Sequence, residues 1–399
     1  MNTETRSHFP SLSQKVADQQ TIYLDGPAGT QVPISVLSAM DNYYRSANAN
    51  THGYFAGSAE TDALLDRTRH KVATLLNAPS PDCISFGPNM TSLNFSLSRG
   101  LSRMFAPGDE VIISQLDHEA NRGPWLSLEE KGIVIKEIPL LDNGTLDYDS
   151  IPALISNKTK LVAVGMAANI FGTVNNIAKI KSLLPDDTLL LLDAVHYAPH
   201  FSIDVQELDC DFLLCSAYKF YGPHVGLLYS RPGLLDQVPT DRLRTQDQTA
   251  PHSIETGTLN HAAIAGVEAA IDFIADLGAG KNLRQKLISA YDKISAHENK
   301  LMRRLAAGIA AIPSLQLWGP DPAAMRAPTL AFTSEIHSAA DICKNLGSRG
   351  INAWDGHFYA LRAVEILGLL ERGGVTRMGM AIYNTEEEID RTLDALLSV

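Results

Sequence analysis

Thr188-Leu-Leu-Leu-Leu-Asp193-Ala-Val-His196 and, further on, Cys210-Asp-Phe-Leu-Leu-Cys215-Ser-Ala-Tyr-Lys219-Phe-Tyr-Gly-Pro are the stretches on which the fold turns. Each holds an apolar run too short for a helix but long enough for a strand buried on both faces. An acid closes the first run and a lysine follows the second. Strands of this kind belong to parallel sheets, where ligands lie beyond the carboxyl ends of the strands. Asp193 and Lys219 can therefore share one edge although they are far apart in the chain.

The same pattern extends outward. Residues 62–76 and 90–105 have helical periodicity, while 83–86, 110–116, 133–140, 160–166 and 189–195 read as strands. This alternation predicts βαβ units and a mostly parallel sheet with helices on both faces, an α/β fold. Asp117-His118 and Asn169 also follow strands directly and should join the same edge. Residues 261–277 and 282–309 read as long helices. Beyond them come strands at 315–318, 329–333 and 376–380, helices at 339–346 and 360–369, and a closing helix at 385–397. The Glu386-Glu-Glu first turn of that helix suits its dipole. We expect a large domain at 21–280 and a small C-terminal α+β domain at 281–399, to which residues 1–20 are assigned.

The chain has 399 residues, 45% of them hydrophobic, enough for a sizeable core. A net charge of −12 without a basic stripe argues against nucleic acid as a partner. Four cysteines with no CxxC pair fit a reducing compartment and no structural zinc. The start, Met1-Asn-Thr-Glu-Thr-Arg, lacks a basic region followed by an apolar stretch, and no apolar run approaches the roughly 20 residues of a membrane helix. A cytoplasmic protein with no membrane partner is expected.

A buried lysine beside a buried acid suits pyridoxal 5′-phosphate. A lysine amine kept uncharged by burial and neighbouring cations can form an imine with the aldehyde. A carboxylate on the pyridine nitrogen keeps the ring protonated, so that it draws electrons from the substrate. Phe86-Gly-Pro-Asn89-Met90-Thr91 reads as strand, small-residue turn and helix start, a geometry that offers backbone N–H groups to an anion. A metal site of Asp193, His196 and His200 fits poorly, because Pro199 breaks the helix that a His-x-x-x-His pair requires. No metal is expected.

Further motifs follow one another in order: Tyr23-Leu-Asp-Gly-Pro-Ala-Gly-Thr, Leu116-Asp-His118-Glu-Ala-Asn, Asn169-Ile-Phe-Gly-Thr, Glu255-Thr-Gly-Thr258-Leu-Asn and Arg377-Met-Gly-Met-Ala-Ile-Tyr-Asn-Thr. With them the chain resembles the class V, cysteine desulfurase-like aminotransferases, pyridoxal-phosphate enzymes of fold type I. The resemblance implies a seven-stranded, mostly parallel sheet in the large domain. It implies that Lys219 forms the internal aldimine and moves the Cα proton, that Asp193 holds the pyridinium and that His118 stacks on the ring. Asn169 would lie near the ring hydroxyl and the substrate carboxylate. His196 would meet the ring hydroxyl where much of the family has glutamine. Asn89, the Met90 backbone, Thr91, Ser216 and Tyr218 would hold the phosphate, joined by Thr258 from the other subunit of a homodimer. Arg377 would grip the substrate α-carboxylate.

The pattern breaks at one place. Trp354-Asp-Gly-His357-Phe-Tyr359-Ala stands where cysteine desulfurases carry Arg-x-Gly-His-His-Cys-Ala. Tyr359 replaces the nucleophilic cysteine and Trp354 the arginine. None of Cys83, Cys210, Cys215 or Cys343 falls on this loop. A phenol cannot replace the thiolate that attacks sulfur. The expectation is therefore an enzyme of amino acids that is not a standard cysteine desulfurase. Transamination or Cβ-elimination comes first, with selenocysteine lyase or cysteine-sulfinate desulfinase or decarboxylase chemistry as the alternative. Trp354, His357 and Tyr359 would line its substrate pocket. The competing class is a catalytically silent protein that kept the cofactor fold, and the intact Lys219, Asp193 and Arg377 speak against it.

Overall fold

The structure, a computed structural model, describes residues 3–16 and 18–398. Seven strands form the principal sheet: β1 (Ile84–Gly87), β2 (Glu110–Ser114), β3 (Val134–Ile138), β4 (Thr159–Gly165), β5 (Leu189–Asp193), β6 (Phe212–Ser216) and β7 (Gly226–Ser230). Their order is β1-β7-β6-β5-β4-β2-β3. Only β7 runs against its neighbours. Alternate strand residues feed opposite faces. Leu190 and Leu192 enter one core while Leu191 enters the other, as the period of two requires. The fold is the expected α/β fold type I, with its seven-stranded, mostly parallel sheet.

The turn between β6 and β7 carries Lys219. Ser216 leaves β6 opposite Gly226 of β7, and the Ala217 N–H closes the turn on the Val225 carbonyl (2.9 Å). Gly226 is glycine for a steric reason. A Cβ there would stand 2.3 Å from the carbonyl carbon of Asn89, so the loop after β1 can settle on β7 only if no side chain intervenes.

The principal helices are α1 (Ile34–Ser46), α2 (Ala56–Leu76), α3 (Met90–Leu101), α4 (His261–Asp276), α5 (Leu283–Ala310) and α6 (Glu386–Leu396). Helix α3 stops short of residue 105, because residues 102–104 turn away ahead of Pro107. Helix α6 begins with a capping box. The Thr385 hydroxyl accepts the Glu388 N–H, and the Glu388 carboxylate accepts the Thr385 N–H. A second, antiparallel sheet, β8-β9-β11-β10, comprises β8 (Leu315–Trp318), β9 (Thr329–Ser334), β10 (Trp354–Gly356) and β11 (Val375–Gly379). Trp354 thus begins an edge strand instead of a loop. Helix α5 spans two cores. Leu287, Tyr291 and Ile294 pack beneath the seven-stranded sheet, and Leu301, Leu305 and Ile309 pack beneath the four-stranded one. Near the start of the chain, Phe9 sits edge-on to Tyr221, Phe273 and Tyr383, and Arg6 pairs with Glu388 at 2.8 Å. Ile22–Tyr23 pairs in parallel with Ile351–Asn352.

Candidate active site

Strand ends make the cavity. Asn89, Met90 and Thr91 follow β1, and Asp117 and His118 follow β2. Asn169 follows β4, Asp193 ends β5, and Ser216, Tyr218 and Lys219 follow β6; all of them, with His196, line one pocket. Lys219 is 7% exposed, and its Nζ donates to the Pro27 carbonyl. Burial, helped by the Arg377 cation and opposed by Asp193, brings the amine down to about 7. The Asp193 carboxylate accepts the Val195 N–H at 2.9 Å. Burial pushes it above the usual carboxylate range, to about 7, and the charge of Asp117 adds to this.

His118 accepts the Ala120 N–H on Nδ1 (2.9 Å), which leaves its proton on Nε2. Burial, with the cations of Lys219 and Arg377, lowers it to about 4, so the ring is uncharged near neutral pH. Asn169 donates from Nδ2 to the Phe358 carbonyl (2.7 Å). Its Oδ1 is buried without a partner. His196 meets the Thr329 hydroxyl through Nε2 (3.0 Å), while its Nδ1 is likewise buried and unpartnered. Burial holds His196 well below its ordinary value. His200 is tied to the fully buried Glu298 at 2.7 Å. Among the described residues no group of three or more His, Cys, Asp or Glu side chains is arranged to hold a metal ion.

At the other end, Asn89 caps α3 by accepting the Ser92 N–H (2.8 Å), and the Ser216 hydroxyl accepts the Met90 N–H (3.0 Å). The Thr91 N–H, in the first helical turn, has no intrahelical carbonyl within reach. Tyr218 stacks on His224 with centroids 4.8 Å apart.

Other expected residues stand apart from this pocket. Arg377, on β11, is buried. Its guanidinium lies 3.9 Å from the centroid of Phe358, and Nη1 donates to the Asn169 carbonyl (3.0 Å). Burial lowers it to about 9. Tyr359 is 67% exposed at the mouth and stacks on His118 at 5.3 Å, with His357 edge-on to it at 6.3 Å. Trp354 is half-exposed, opposite Arg377 across β10–β11. Thr258 is exposed and lines a separate cleft with Gly87, Pro88 and Ser92. Sequence reasoning gave no role to Asp25 or Asp117. Asp25 Oδ1 is buried and unpartnered, and burial raises its carboxyl to about 6 against the pull of Arg377. Its position in the Tyr23–Thr30 motif was the available signal. Asp117 accepts the Gly165 N–H (2.9 Å) and the Asn121 side chain (3.0 Å), locking β2 to β4.

This chemistry fits a phosphorylated pyridine aldehyde. A buried carboxylate with no salt bridge among the described residues shares the pocket with a lysine that is half-neutral near pH 7. Two buried polar atoms await partners, and a helix N-terminus closes the far end. The family profile described as aminotransferase class-V matches residues 22–392. The chain belongs to the class-V aminotransferases. Its cofactor is pyridoxal 5′-phosphate. This class-V chain is 33% identical to a cysteine desulfurase of Dickeya dadantii (strain 3937), over 98% of the chain and 95% of the relative. It is also 33% identical to one of Serratia proteamaculans (strain 568), over 98% and 96%. Two solved cysteine desulfurases share its fold. That of Escherichia coli, in an S-sulfonic acid form, has a TM-score of 0.86 at 27% identity, covering 99% of this chain and 98% of the other. The apo enzyme of Thermococcus onnurineus NA1 has a TM-score of 0.89 at 26% identity, covering 99% and 97%.

Proposed function

We propose that this class-V enzyme acts on an amino acid by transamination or Cβ-elimination and is not a thiolate-type cysteine desulfurase. The observation that carries this reading is a complete Lys219–Asp193–His118 array whose mouth holds Tyr359 and no cysteine. Cys83, Cys210 and Cys215 are buried in the cores, and burial pushes the Cys343 thiol up to about 12. None of the four lines the cavity. Bound pyridoxal phosphate supplies the electron sink that acidifies the substrate Cα–H. Lys219 Nζ, half-neutral near pH 7, takes that proton and returns it. Asp193 offers its charge to the ring nitrogen, His118 packs on the ring face, and the neutral His196 offers a hydrogen bond. Asn89, Met90, Thr91, Ser216 and Tyr218 hold the phosphate, and Arg377 with Asn169 holds the α-carboxylate. The half-exposed Trp354, His357 and Tyr359 shape an aromatic entrance, and the Tyr359 hydroxyl is placed to give a proton to a leaving group.

The missing thiol favours a second reading, cleavage of selenocysteine or cysteine sulfinate (desulfinase or decarboxylase chemistry), whose leaving groups need less help. We assign 21–280 to a cofactor domain and 281–399 with 1–20 to a small domain. We also propose a homodimer that shares Thr258, which the exposure of Thr258 supports. No described helix is long and apolar enough to cross a membrane, and the four cysteines are unpaired. These features support a cytoplasmic setting. The deciding experiment offers an amino-acid panel to the holoenzyme and identifies products by mass spectrometry. L-cysteine with a reductant should yield no catalytic sulfide, and robust sulfide release would overturn the reading. Tyr359→Phe should lower turnover with little change in substrate affinity if the hydroxyl donates the proton.

A further inference from the structure

Two segments far apart in the chain close on the Tyr218 side chain. Tyr218 lines the cofactor cavity beside Asn89, Met90 and Thr91, and it also lines an outer groove with Ser92, Arg99 and His224. The turn that leaves β6 doubles back tightly. The Gly222 N–H donates to the Ala217 carbonyl (2.9 Å), and the Val225 N–H donates to that of Pro223 (2.9 Å). His224 is thereby returned alongside Tyr218, and the two rings stack with centroids 4.8 Å apart and planes 6° from parallel. From the other end of the sequence, Gly29 comes up against the same ring. Its φ is +155°, and a Cβ there would stand 3.1 Å from Tyr218 Cδ2 and 3.4 Å from Cε2, so a side chain at this position would press on the ring edge. The Thr30 N–H donates to the Tyr218 carbonyl (3.2 Å), and the Thr30 hydroxyl accepts the Tyr221 N–H (2.8 Å). Backbone and ring of Tyr218 are therefore both held. Its phenol, raised by burial and by the charge of Asp193, keeps its proton at neutral pH and can donate. His224 is exposed and does not line the cavity itself.

We propose that His224 is a positioning residue for cofactor binding: its ring, with Gly29, holds the Tyr218 hydroxyl toward the cofactor phosphate. This rests on the reading of Tyr218 as a phosphate ligand. A tyrosine hydroxyl lies on the axis of its ring, so turning about χ2 leaves it in place and a change of χ1 is needed to carry it elsewhere. With the Tyr218 backbone tied to Thr30, that change must break the His224 stack. An aromatic pair contributes more than the area it buries, so the stack favours one χ1 well over the others. The hydroxyl then meets the phosphate without first being ordered, and binding is tighter by that difference. The stacking partner needs no N–H for this task. A ring of similar shape should serve as well, whereas an imidazole that donated to the phosphate directly could not be replaced in this way.

For the test, the cofactor is stripped from purified holoenzyme and added back as pyridoxal phosphate or as pyridoxal, and the affinity for each is read from the visible absorbance of the bound form. Tyr218→Phe should hold pyridoxal phosphate roughly ten- to a hundredfold more weakly, the range of a hydrogen bond to a charged group, with pyridoxal unchanged. His224→Ala should lose roughly two- to tenfold for pyridoxal phosphate alone, the range of one aromatic pair. His224→Phe should restore most of that loss. In the Tyr218→Phe background, His224→Ala should cost nothing more. If Tyr218→Phe holds pyridoxal phosphate as tightly as wild type, the phosphate reading of Tyr218 fails and the proposal falls with it. If Tyr218→Phe weakens binding while His224→Ala does not, the positioning role is wrong and the phosphate reading stands. Equal losses for both aldehydes in His224→Ala would reveal a general disturbance of the site and overturn the proposal, as would a His224→Phe variant no better than His224→Ala.

Discussion

Lys219 carries a charge that its surroundings oppose. It is buried, it faces the Arg377 cation, and the opposing Asp193 is itself pushed toward its neutral form. A base whose value falls to about 7 stays neutral above that pH and becomes protonated below it. Covalent loading of cofactor-free protein should therefore rise as pH climbs through about 7 and then level off, read as borohydride-trapped cofactor. A rise that begins only near the ordinary lysine value would show that the burial argument fails. Lys219→Ala should trap none. Asp193→Asn removes an ion-paired hydrogen bond worth roughly 1.5–3 kcal/mol, or about ten- to a hundredfold in cofactor affinity. Turnover should fall further, because the uncharged ring is a poorer electron sink. Near wild-type turnover in that variant would remove Asp193 from the ring nitrogen. These two residues were legible in the sequence because a strand-end acid and a strand-end lysine point to a specific chemistry. His224 was not, since a histidine after Gly-Pro reads as an exposed turn residue until its ring is found on Tyr218. Asp25 was not, since an acid ahead of Gly26-Pro27 reads as a turn former.

Between residue and molecule lies the anchoring of the Glu255–Thr258 segment. The two Glu255 oxygens accept from both terminal nitrogens of Arg69 on α2, at 2.7 and 2.9 Å. They also meet the Phe86 N–H at the end of β1 (2.7 Å) and His252 (3.0 Å). Burial alone would raise this carboxyl, yet Arg69 holds it below the usual value. Its contribution to stability is thus fully present above the ordinary glutamate value and is lost as pH falls below that, down through the lowered native value. Removing one partner of such a pair leaves a buried, uncompensated charge, at a cost of about 3–5 kcal/mol. Glu255→Ala should lose that much in denaturant unfolding, and a loss below about 1 kcal/mol would mean that Arg69 finds water instead. Element types were readable from period alone wherever a strand or helix was long and apolar, as with β5 and α5. Strand direction was not. Gly226-Leu-Leu-Tyr-Ser is equally apolar whichever way it runs, and only its register with Ser216 makes β7 antiparallel. The edge strand β10 escaped because Trp354-Asp-Gly is too short to show a period.

For the whole molecule, the decisive question is whether a site is completed by a second chain. Thr258 lies on the surface, outside the cavity of its own subunit, yet it borders a cleft on the far side of the loop that begins α3. A closed two-fold dimer would present each Thr258 to the other subunit and make both sites depend on both chains. A Lys219→Ala chain and a Thr258→Tyr chain should then each be inactive as homodimers. In a mixed dimer, one site lacks both groups, while the other combines the intact lysine of one chain with the intact threonine of its partner. With equal amounts and free exchange, half of the dimers are mixed and half of their sites work, so activity should recover to about a quarter of wild type. If Thr258 served its own subunit, no mixed dimer would contain a working site and exchange would restore nothing. The two cases are separated by measuring turnover alongside native mass spectrometry, which confirms that the chains have exchanged. A fully active monomer in the same spectra would dispose of the shared site altogether.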